Sequence, residues 1–298
     1  MKIPKVIWFA AGGALLLLIG FFVVTELIQS QAQVRVDGEL DQLRDRIDVQ
    51  YEGFRYAPLS GQVAFRDLTA KTGDGTKKLS FRTLTIAGWE RDEEGTLTDL
   101  QLKGTGMRLH LGAETGGEWE ERWQGPAANQ RGVDFSLDCG YEPQGNTVDI
   151  RKLVMEQPDL ADVELVGQFA DARGLDWNRL RGGNLLQIGA AFGSLKIAQL
   201  KIDYTDLGLI DDAYAREAEQ SGRTTKEVSN GVFQVIEEQK TLRLTQSMKT
   251  TLRQFLDDPG QIVLSLEPTD PVGTVKLTGV LLFRGDLVRL LGLDIYSP

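Results

Sequence analysis

The sequence predicts an α+β fold, in which one N-terminal transmembrane helix is followed by a β-rich antiparallel extracytoplasmic region with helices in the C-terminal third. Three patterns predict it: an uncharged N-terminal run, a period-two alternation of apolar and polar residues, and helical spacing after residue 207. These patterns divide the chain into an N-terminus at 1–5, a membrane helix at 6–27, a stalk at 28–48, a β-rich domain at 49–170 and an α+β region at 171–298.

The uncharged run covers the twenty residues 6–25, with Lys2 and Lys5 before it and Glu26 as the first acid after it. Twenty helical residues at 1.5 Å each reach about 30 Å, the thickness of the hydrocarbon core of a bilayer. Because lysines favour the cytoplasmic side, we expect a single-pass membrane protein, which in a bacterium would lie in the inner membrane. Its N-terminus would be cytoplasmic and the bulk of the chain periplasmic.

The same run is also compatible with a cleaved signal peptide, since the segment Ser30-Gln31-Ala32 has small residues at the spacing that a signal peptidase recognises. The run is longer than the 7–15 apolar residues of an ordinary signal peptide, which favours an uncleaved signal-anchor. Gly12, Gly13 and Gly20 give the helix a small-residue surface of the kind that packs against another membrane helix.

After a stalk with apolar spacing at Leu40, Leu43 and Ile47, the period changes to two. The alternation predicts strands at 62–68, 79–86, 97–102, 107–111, 133–138, 147–150 and 163–169. The segment Gly104-Thr105-Gly106 is interpreted as a hairpin turn between two of them. A composition break at 114–132 is interpreted as a long loop.

The C-terminal third mixes both periods. Helices are predicted at 176–192, at 209–220, from 225 onward, at 247–256 and at 285–291, and strands at 195–204 and 262–267. The segment Thr224-Thr225-Lys226-Glu227 fits a capping box at the start of a helix.

The alternation also predicts which side chains share a face of the sheet. Because side chains alternate along a strand, Val63 and Phe65 lie on one side and Ala64 and Arg66 on the other. By this rule the residues expected to be buried or to line a ligand groove are Phe65, Leu109, Leu264 and Leu266. Those expected to be exposed are Arg66, Arg108, His110 and Glu267.

Composition excludes several classes of function. The 298 residues carry 33 Lys+Arg against 43 Asp+Glu, a net charge of −10, which argues against nucleic acid as a partner. His110 is the one histidine and Cys139 the one cysteine, so multi-histidine metal sites and intramolecular disulfides are excluded. Phosphate-loop, dinucleotide and serine-nucleophile signatures are absent from the sequence. The sequence therefore predicts a non-enzymatic protein with no catalytic residue, no metal ligand and no cofactor.

With its anchor and strands in place, the chain resembles the AsmA-like membrane-anchored proteins of the bacterial envelope. The resemblance rests on the single N-terminal helix and on residues 56–68, which read Tyr-Ala-Pro-Leu-Ser-Gly-Gln-Val-Ala-Phe-Arg-Asp-Leu. It covers about residues 1–111, and the helices between 207 and 256 depart from it. The resemblance implies a curved sheet whose apolar concave face holds acyl chains.

Two hypotheses of function follow. The first is a membrane-anchored periplasmic module that binds a lipid or acyl chain, with membrane lipid as its partner. The alternative is a structural or assembly subunit of an inner-membrane protein complex. A continuous apolar groove would support the first hypothesis, and a filled core would support the second.

Overall fold

The computed structural model describes residues 47–57, 62–72, 78–93, 97–110, 132–172, 194–239, 241–282 and 285–298. These ranges consist mostly of antiparallel β-sheet, with helices in the C-terminal part, so the predicted α+β class is confirmed. The predicted membrane helix at 6–27, with Gly12, Gly13 and Gly20, lies outside the described residues, as do the stalk up to residue 46 and the predicted helix at 176–192. Within the described ranges, no helix is long and apolar enough to cross a membrane.

The chain divides into two compact units, residues 1–137 and 138–298. The predicted boundary at 170/171 lies where helices begin in the sequence pattern, whereas the boundary at 137/138 separates two groups of residues that contact each other. The two criteria differ, so the predicted domain bounds stay predictions. The first unit contains β1 (Ile47–Gln50), β2 (Gly53–Ala57), β3 (Gln62–Thr72), β4 (Lys78–Arg91), β5 (Leu97–His110) and the first half of β6 (Val133–Glu142). Its strand order is β1-β3-β4-β5-β6, and β2 also pairs with β3.

One face of β3, β4 and β5 forms the core of the first unit. Its side chains are at most 2% exposed: Val63, Phe65, Leu68, Ala70, Leu79, Phe81, Leu84, Ile86, Leu100 and Leu102. The ring of Phe65 has its centroid 5.4 Å from that of Tyr51 and 5.5 Å from that of Phe54. Arg66 and Arg108 are exposed, as the alternation predicts, while the side chains of Leu109 and His110 lie outside what the structure describes.

The alternation slips once along β3. Phe65 and Leu68 both point into the core, and they pair with Leu84 and Phe81 on β4. Asp67 adopts a left-handed backbone with φ of 51° between them, which accounts for the two consecutive outward residues. The pairing register between β3 and β4 therefore stays the same, while the buried positions on β3 change from odd-numbered to even-numbered residues.

The predicted hairpin turn at Gly104-Thr105-Gly106 is wrong, because β5 runs through it without a break. Gly104 is needed for close packing, since a Cβ there would lie 2.0 Å from Cε1 of Phe135. Gly106 has a φ of 62° and donates its N–H to Asp134 Oδ1 at 2.7 Å. These glycines thus admit a ring and bend a strand, rather than reverse the chain.

The second unit contains the end of β6 and the elements β7 (Thr147–Gln157), β8 (Ala161–Ala170), β9 (Lys196–Asp206), α1 (Leu209–Ser221), α2 (Thr225–Glu238), α3 (Gln246–Asp257), β10 (Gln261–Leu266), β11 (Val272–Gly273), α4 (Thr274–Leu282), α5 (Leu287–Leu291) and β12 (Leu293–Tyr296). Its strand order is β6-β7-β8-β9-β10-β12, and β11 pairs with β9.

The helices of the second unit begin and end where local chemistry dictates. The predicted capping box is confirmed: the Glu227 N–H donates to Thr224 Oγ1 at 3.3 Å, and the Thr224 N–H donates to Glu227 Oε2 at 2.7 Å. Helix α1 ends at Gly222, whose φ of 68° forms a left-handed C-cap. Thr245 caps α3 by accepting a hydrogen bond from the Met248 N–H.

Strand β12 is the last in the strand order and pairs with β10 on one side. The N–H of Ile295, in the middle of this strand, donates to Oδ1 of its neighbour Asp294 at 2.9 Å. A side chain rather than a strand partner therefore occupies this donor.

Candidate functional site: an apolar sheet face in the second unit

The register of β7, β8, β9 and β10 brings apolar side chains onto one side of the sheet. Leu165, for example, is opposite Leu153 on β7 and Ile202 on β9. Residues opposite each other in antiparallel strands share a face. The set that we call the apolar face consists of Val148, Ile150, Leu153, Met155, Val163, Leu165, Phe169, Ile197, Leu200, Ile202, Leu264 and Leu266.

Every member of the apolar face is partly exposed. In the first unit, by contrast, the sheet core is at most 2% exposed. A contiguous apolar surface that stays accessible to water is costly, and in soluble proteins such surfaces mark interaction sites. The apolar face is therefore the described surface best suited to bind an apolar ligand.

Gly167 lies in the middle of the apolar face, opposite Ile150 on β7 and Leu200 on β9. A Cβ on Gly167 would come within 2.9 Å of Leu200 Cδ1. The glycine therefore leaves room for the Leu200 side chain to lie across β8.

The opposite side of the same strands is polar. Gln168 Nε2 donates to Asp149 Oδ1 at 2.8 Å, and Lys152 Nζ lies 3.2 Å from Glu164 Oε2. Three valines interrupt this polar side: Val154, Val166, which is 42% exposed, and Val263, which is 1% exposed. Because the opposite side carries these charges and the twelve side chains of the apolar face are uncharged, the apolar face suits an uncharged ligand better.

Helix α3 covers one end of the apolar face. Its Met248 forms a buried cluster with Ile262 of β10 and Ile295 of β12, and Leu252 and Phe255 pack against this cluster. The Phe255 ring meets the Tyr204 ring edge-on, with centroids 5.9 Å apart. We call this the covered end.

A buried carboxylate lies next to the covered end. Asp206 is 8% exposed, and its side chain accepts hydrogen bonds from the Tyr204 hydroxyl at 2.6 Å, the Gly208 N–H at 3.0 Å and the Ile210 N–H at 3.1 Å. Burial, and then the hydrogen bond to Asp206, raise the pKa of the Tyr204 phenol well above its ordinary value. The pair ties the first turn of α1 to the end of β9.

The other end of the apolar face has a different character. Phe169 is opposite Ile197, which in turn is opposite Val272 of β11. Lys196, the next residue, forms an ion pair with Asp171, and both side chains are 44% exposed. The alternation places Lys196 on the opposite side of the sheet from Phe169 and Ile197, so the exposed ion pair lies on the polar side. On the apolar side this end finishes at Val272, which is 2% exposed.

The structure places the predicted site residues in different units. Leu264 and Leu266 lie on the apolar face and are half-buried, and Glu267 beyond them is exposed. Phe65 lies in the aromatic cluster of the first unit, and the side chain of Leu109 is outside the described residues. The ligand-lining role of all four residues stays a prediction.

Sequence reasoning missed the larger part of the apolar face, which β7, β8 and β9 supply. Strands were predicted in these segments, but a register shift between Ile150 and Leu153 changes which residues of β7 point to this side. A second shift, at Gln168 and Phe169 of β8, adds one residue to β9 and changes which residues of β9 point to this side. Only the alternation Val163, Leu165, Gly167, Phe169 was visible as a signal.

Across the described ranges, no group of three His, Cys, Asp or Glu side chains is arranged to hold a metal ion. Cys139, the one cysteine of the sequence, lies half-buried on β6.

This chain is similar to a family of proteins and to a bacterial protein. A protein-family model described as "Uncharacterized protein" matches residues 145–297, a range that includes all four strands of the apolar face. The chain is also similar to a protein of Aquifex aeolicus (strain VF5) described as "Uncharacterized protein". The two are 22% identical over 226 residues, which cover 72% of this chain and 70% of the Aquifex protein.

Proposed function

The chain belongs to the "Uncharacterized protein" family whose model matches residues 145–297, and we propose that it binds the hydrocarbon chain of a membrane lipid on the apolar face. In this proposal it is a non-enzymatic module of the bacterial envelope, held at the inner membrane by residues 6–27 with its bulk in the periplasm. The observation that carries the proposal is the row of twelve partly exposed apolar side chains on a sheet whose other side is polar.

The energetics favour a hydrocarbon ligand of this kind. Each methylene removed from water contributes about 0.8 kcal/mol, so ten buried methylenes contribute roughly 8 kcal/mol. Association costs at least about 4 kcal/mol in lost translational and rotational freedom. The surplus alone gives weak binding, so the site benefits from being close to its ligand.

A membrane anchor supplies that closeness. Once the anchor is in the membrane, binding of a lipid by the tethered domain is effectively intramolecular, with an effective lipid concentration on the order of millimolar. The uncharged run at 6–25 and the resemblance of residues 56–68 to AsmA-like envelope proteins both support this part of the proposal. Both remain sequence-based expectations.

Photocrosslinking of the full chain tests the proposal. The protein is reconstituted in vesicles of phosphatidylethanolamine and phosphatidylglycerol that contain a phospholipid with a diazirine in its acyl chain, and labelled peptides are mapped by mass spectrometry. We expect label in 148–169 and 197–202. Leu165→Gln should reduce the label in this region several-fold, because it places an amide in the middle of the apolar face.

Val166→Gln is the matched control, since it makes the same change one residue away on the polar side. It should leave the labelling unchanged. Label confined to residues 6–27 would overturn the proposal. Native mass spectrometry of the extracted protein that found a stoichiometric protein partner and no lipid would instead support the subunit of an inner-membrane complex.

A further inference from the structure

One side of the sheet in the first unit concentrates positive charge. Arg55 of β2 and Lys103 of β5 lie in one row of paired residues that runs across β3 and β4. Residues paired in this way share a face of the sheet. The set that we call the basic face lies on the side opposite the buried core and consists of Arg55, Arg66, Lys71, Lys78, Arg82, Lys103 and Arg108.

Short residues between these cations leave the charged groups at the surface. A Cβ on Gly53 would come within 3.1 Å of Arg66 Nε, so the glycine gives the Arg66 guanidinium room to lie across β2. A Cβ on Gly106 would likewise come within 3.1 Å of the Arg82 Cβ. The other residues paired into this side of β3, β4 and β5 are small or carry hydroxyls: Ala64, Thr69, Ser80, Thr83, Thr85 and Thr105.

Acids compensate this charge only in part. Asp48 lies opposite Lys71, and the exposed Asp67 follows Arg66 on β3. Further along β4 and β5 the same side becomes acidic, at Glu90 and its partner Asp99. Within the part of the chain that the structure describes, no ion pair engages four exposed cations of the basic face: Arg55, Arg66, Arg82 and Lys103.

The polar side of the second unit treats its cations differently. There Lys152 Nζ lies 3.2 Å from Glu164 Oε2, and Arg151 forms an ion pair with Asp138. The whole chain has a net charge of −10, so acids to pair with are plentiful. A surface that leaves several cations without them creates a local positive potential, which attracts an anionic partner.

The basic face is larger than a site for a single phosphate. Along β3 it extends from Ala64 to Lys71, seven steps of about 3.3 Å, or roughly 23 Å. Across the sheet it extends from β2 to β5, three spacings of about 4.8 Å, or roughly 14 Å. These dimensions suit an extended anionic surface.

We propose that the basic face docks on the surface of a bilayer that contains anionic phospholipid. The inference shares with the proposed function only the anchor at 6–27, which ends twenty residues before Ile47 and keeps the first unit near the bilayer. Each Lys or Arg next to an anionic membrane raises the affinity about five-fold. A nucleic acid is the less suitable polyanion, because the acidic chain as a whole repels it.

Headgroup photocrosslinking of the full chain tests the docking. The protein is reconstituted in phosphatidylcholine vesicles with or without phosphatidylglycerol, and both contain the same trace of a phospholipid with a photoreactive headgroup. With phosphatidylglycerol, label in 55–57, 62–71, 78–85 and 103–108 should be at least five-fold stronger. This gain should largely disappear between about 50 mM and about 500 mM salt, because the screening length shortens from about 14 Å to about 4 Å.

Charge reversal of exposed residues tests the basic face itself. Arg66→Glu combined with Lys103→Glu should reduce the label at least five-fold in phosphatidylglycerol vesicles. Lys201→Glu combined with Arg243→Glu is the matched control, since it makes the same change of charge at exposed sites of the second unit. Arg55→Gln combined with Lys103→Gln, which only removes charge, should reduce the label at least two-fold. An unchanged urea midpoint shows that each variant is folded.

The outcomes separate this inference from the proposed function. Equal label on the basic face in both kinds of vesicle, or an equal loss in the control variant, overturns the docking. Acyl-chain label on the apolar face without headgroup label on the basic face overturns the docking alone. Headgroup label without acyl-chain label supports the docking and overturns the proposed function. A basic face that binds an oligonucleotide but takes no label from phosphatidylglycerol vesicles overturns the choice of a membrane.

Discussion

Tyr204, which is half-buried, and Asp206, which is buried, are two residues apart on β9 and form a hydrogen-bonded pair beside an apolar surface. The Tyr204 hydroxyl donates to Asp206 Oδ1, so ionising the phenol would place two anions in contact. The raised pKa of Tyr204 expresses this cost together with that of burial. No pattern in the sequence distinguishes this pair, because its geometry depends on the turn after β9, whose Gly208 and Ile210 N–H groups also donate to Asp206.

The pair predicts an alkaline sensitivity. Because the pKa of Tyr204 is higher in the folded state than its ordinary value of 10.0, its contribution to stability is complete below pH 10 and is lost as the pH rises above 10. The stability of Tyr204→Phe should therefore fall less steeply above pH 10, as measured by urea unfolding of the full chain in detergent. Tyr296→Phe, at an exposed site, is the control, and equal slopes for the two variants would contradict the prediction.

Gly104 shows how a single missing side chain sets the packing of the first unit. In Gly104→Ala the new methyl would meet the Phe135 ring at 2.0 Å. Overpacking of this kind lowers the free energy of unfolding by about 1–3 kcal/mol. The urea concentration at the midpoint of unfolding should therefore fall. Gly88→Ala is the matched control, because its Cβ would meet only the Gln101 side chain at 3.4 Å. A midpoint that Gly104→Ala leaves unchanged would show that Phe135 moves aside freely.

The strands and helices show how far the sequence predicts this fold. Strands β3, β4 and β10 and helices α1, α2 and α3 follow from hydrophobic period and capping chemistry, which are local. Helix α4 was missed, because its apolar composition lacks the polar face by which a helix is recognised. The apolar face was only partly predicted, since β-bulges and long-range register decide its membership.

Helix α2 depends on a carboxylate at its first turn. The backbone hydrogen bond from Thr224 lowers the pKa of the exposed Glu227, so the contribution of this carboxylate to stability is present above pH 4.5 and is lost as the pH falls below it. Glu227→Gln should speed amide hydrogen exchange in α2 at neutral pH, and this difference from the unmodified chain should shrink in acid. Glu219→Gln on α1 is a control for the change in charge. A difference that persists undiminished in acid would exclude the capping role.

At the scale of the whole molecule, the central expectation is the anchor at 6–27. Because Lys2 and Lys5 hold the N-terminus in the cytoplasm, we expect residues after Gln33 to lie outside it. A reporter enzyme that works only outside the cytoplasm should therefore be active when it is fused after Gln33. If instead only a reporter that works inside the cytoplasm is active there, the topology is the reverse of the expected one. Extraction of the chain by alkaline carbonate would show that the run does not span the bilayer.

The side-chain hydrogen bond at Ile295 has a consequence for self-assembly. The last strand of a sheet is a template on which another extended chain can add, and fibrils grow by such addition. In β12 the Ile295 N–H is already held by the Asp294 carboxylate, which also brings a negative charge to the edge. A second strand arriving here would find that donor taken and an anion beside it. This edge is therefore a poor seed for amyloid growth.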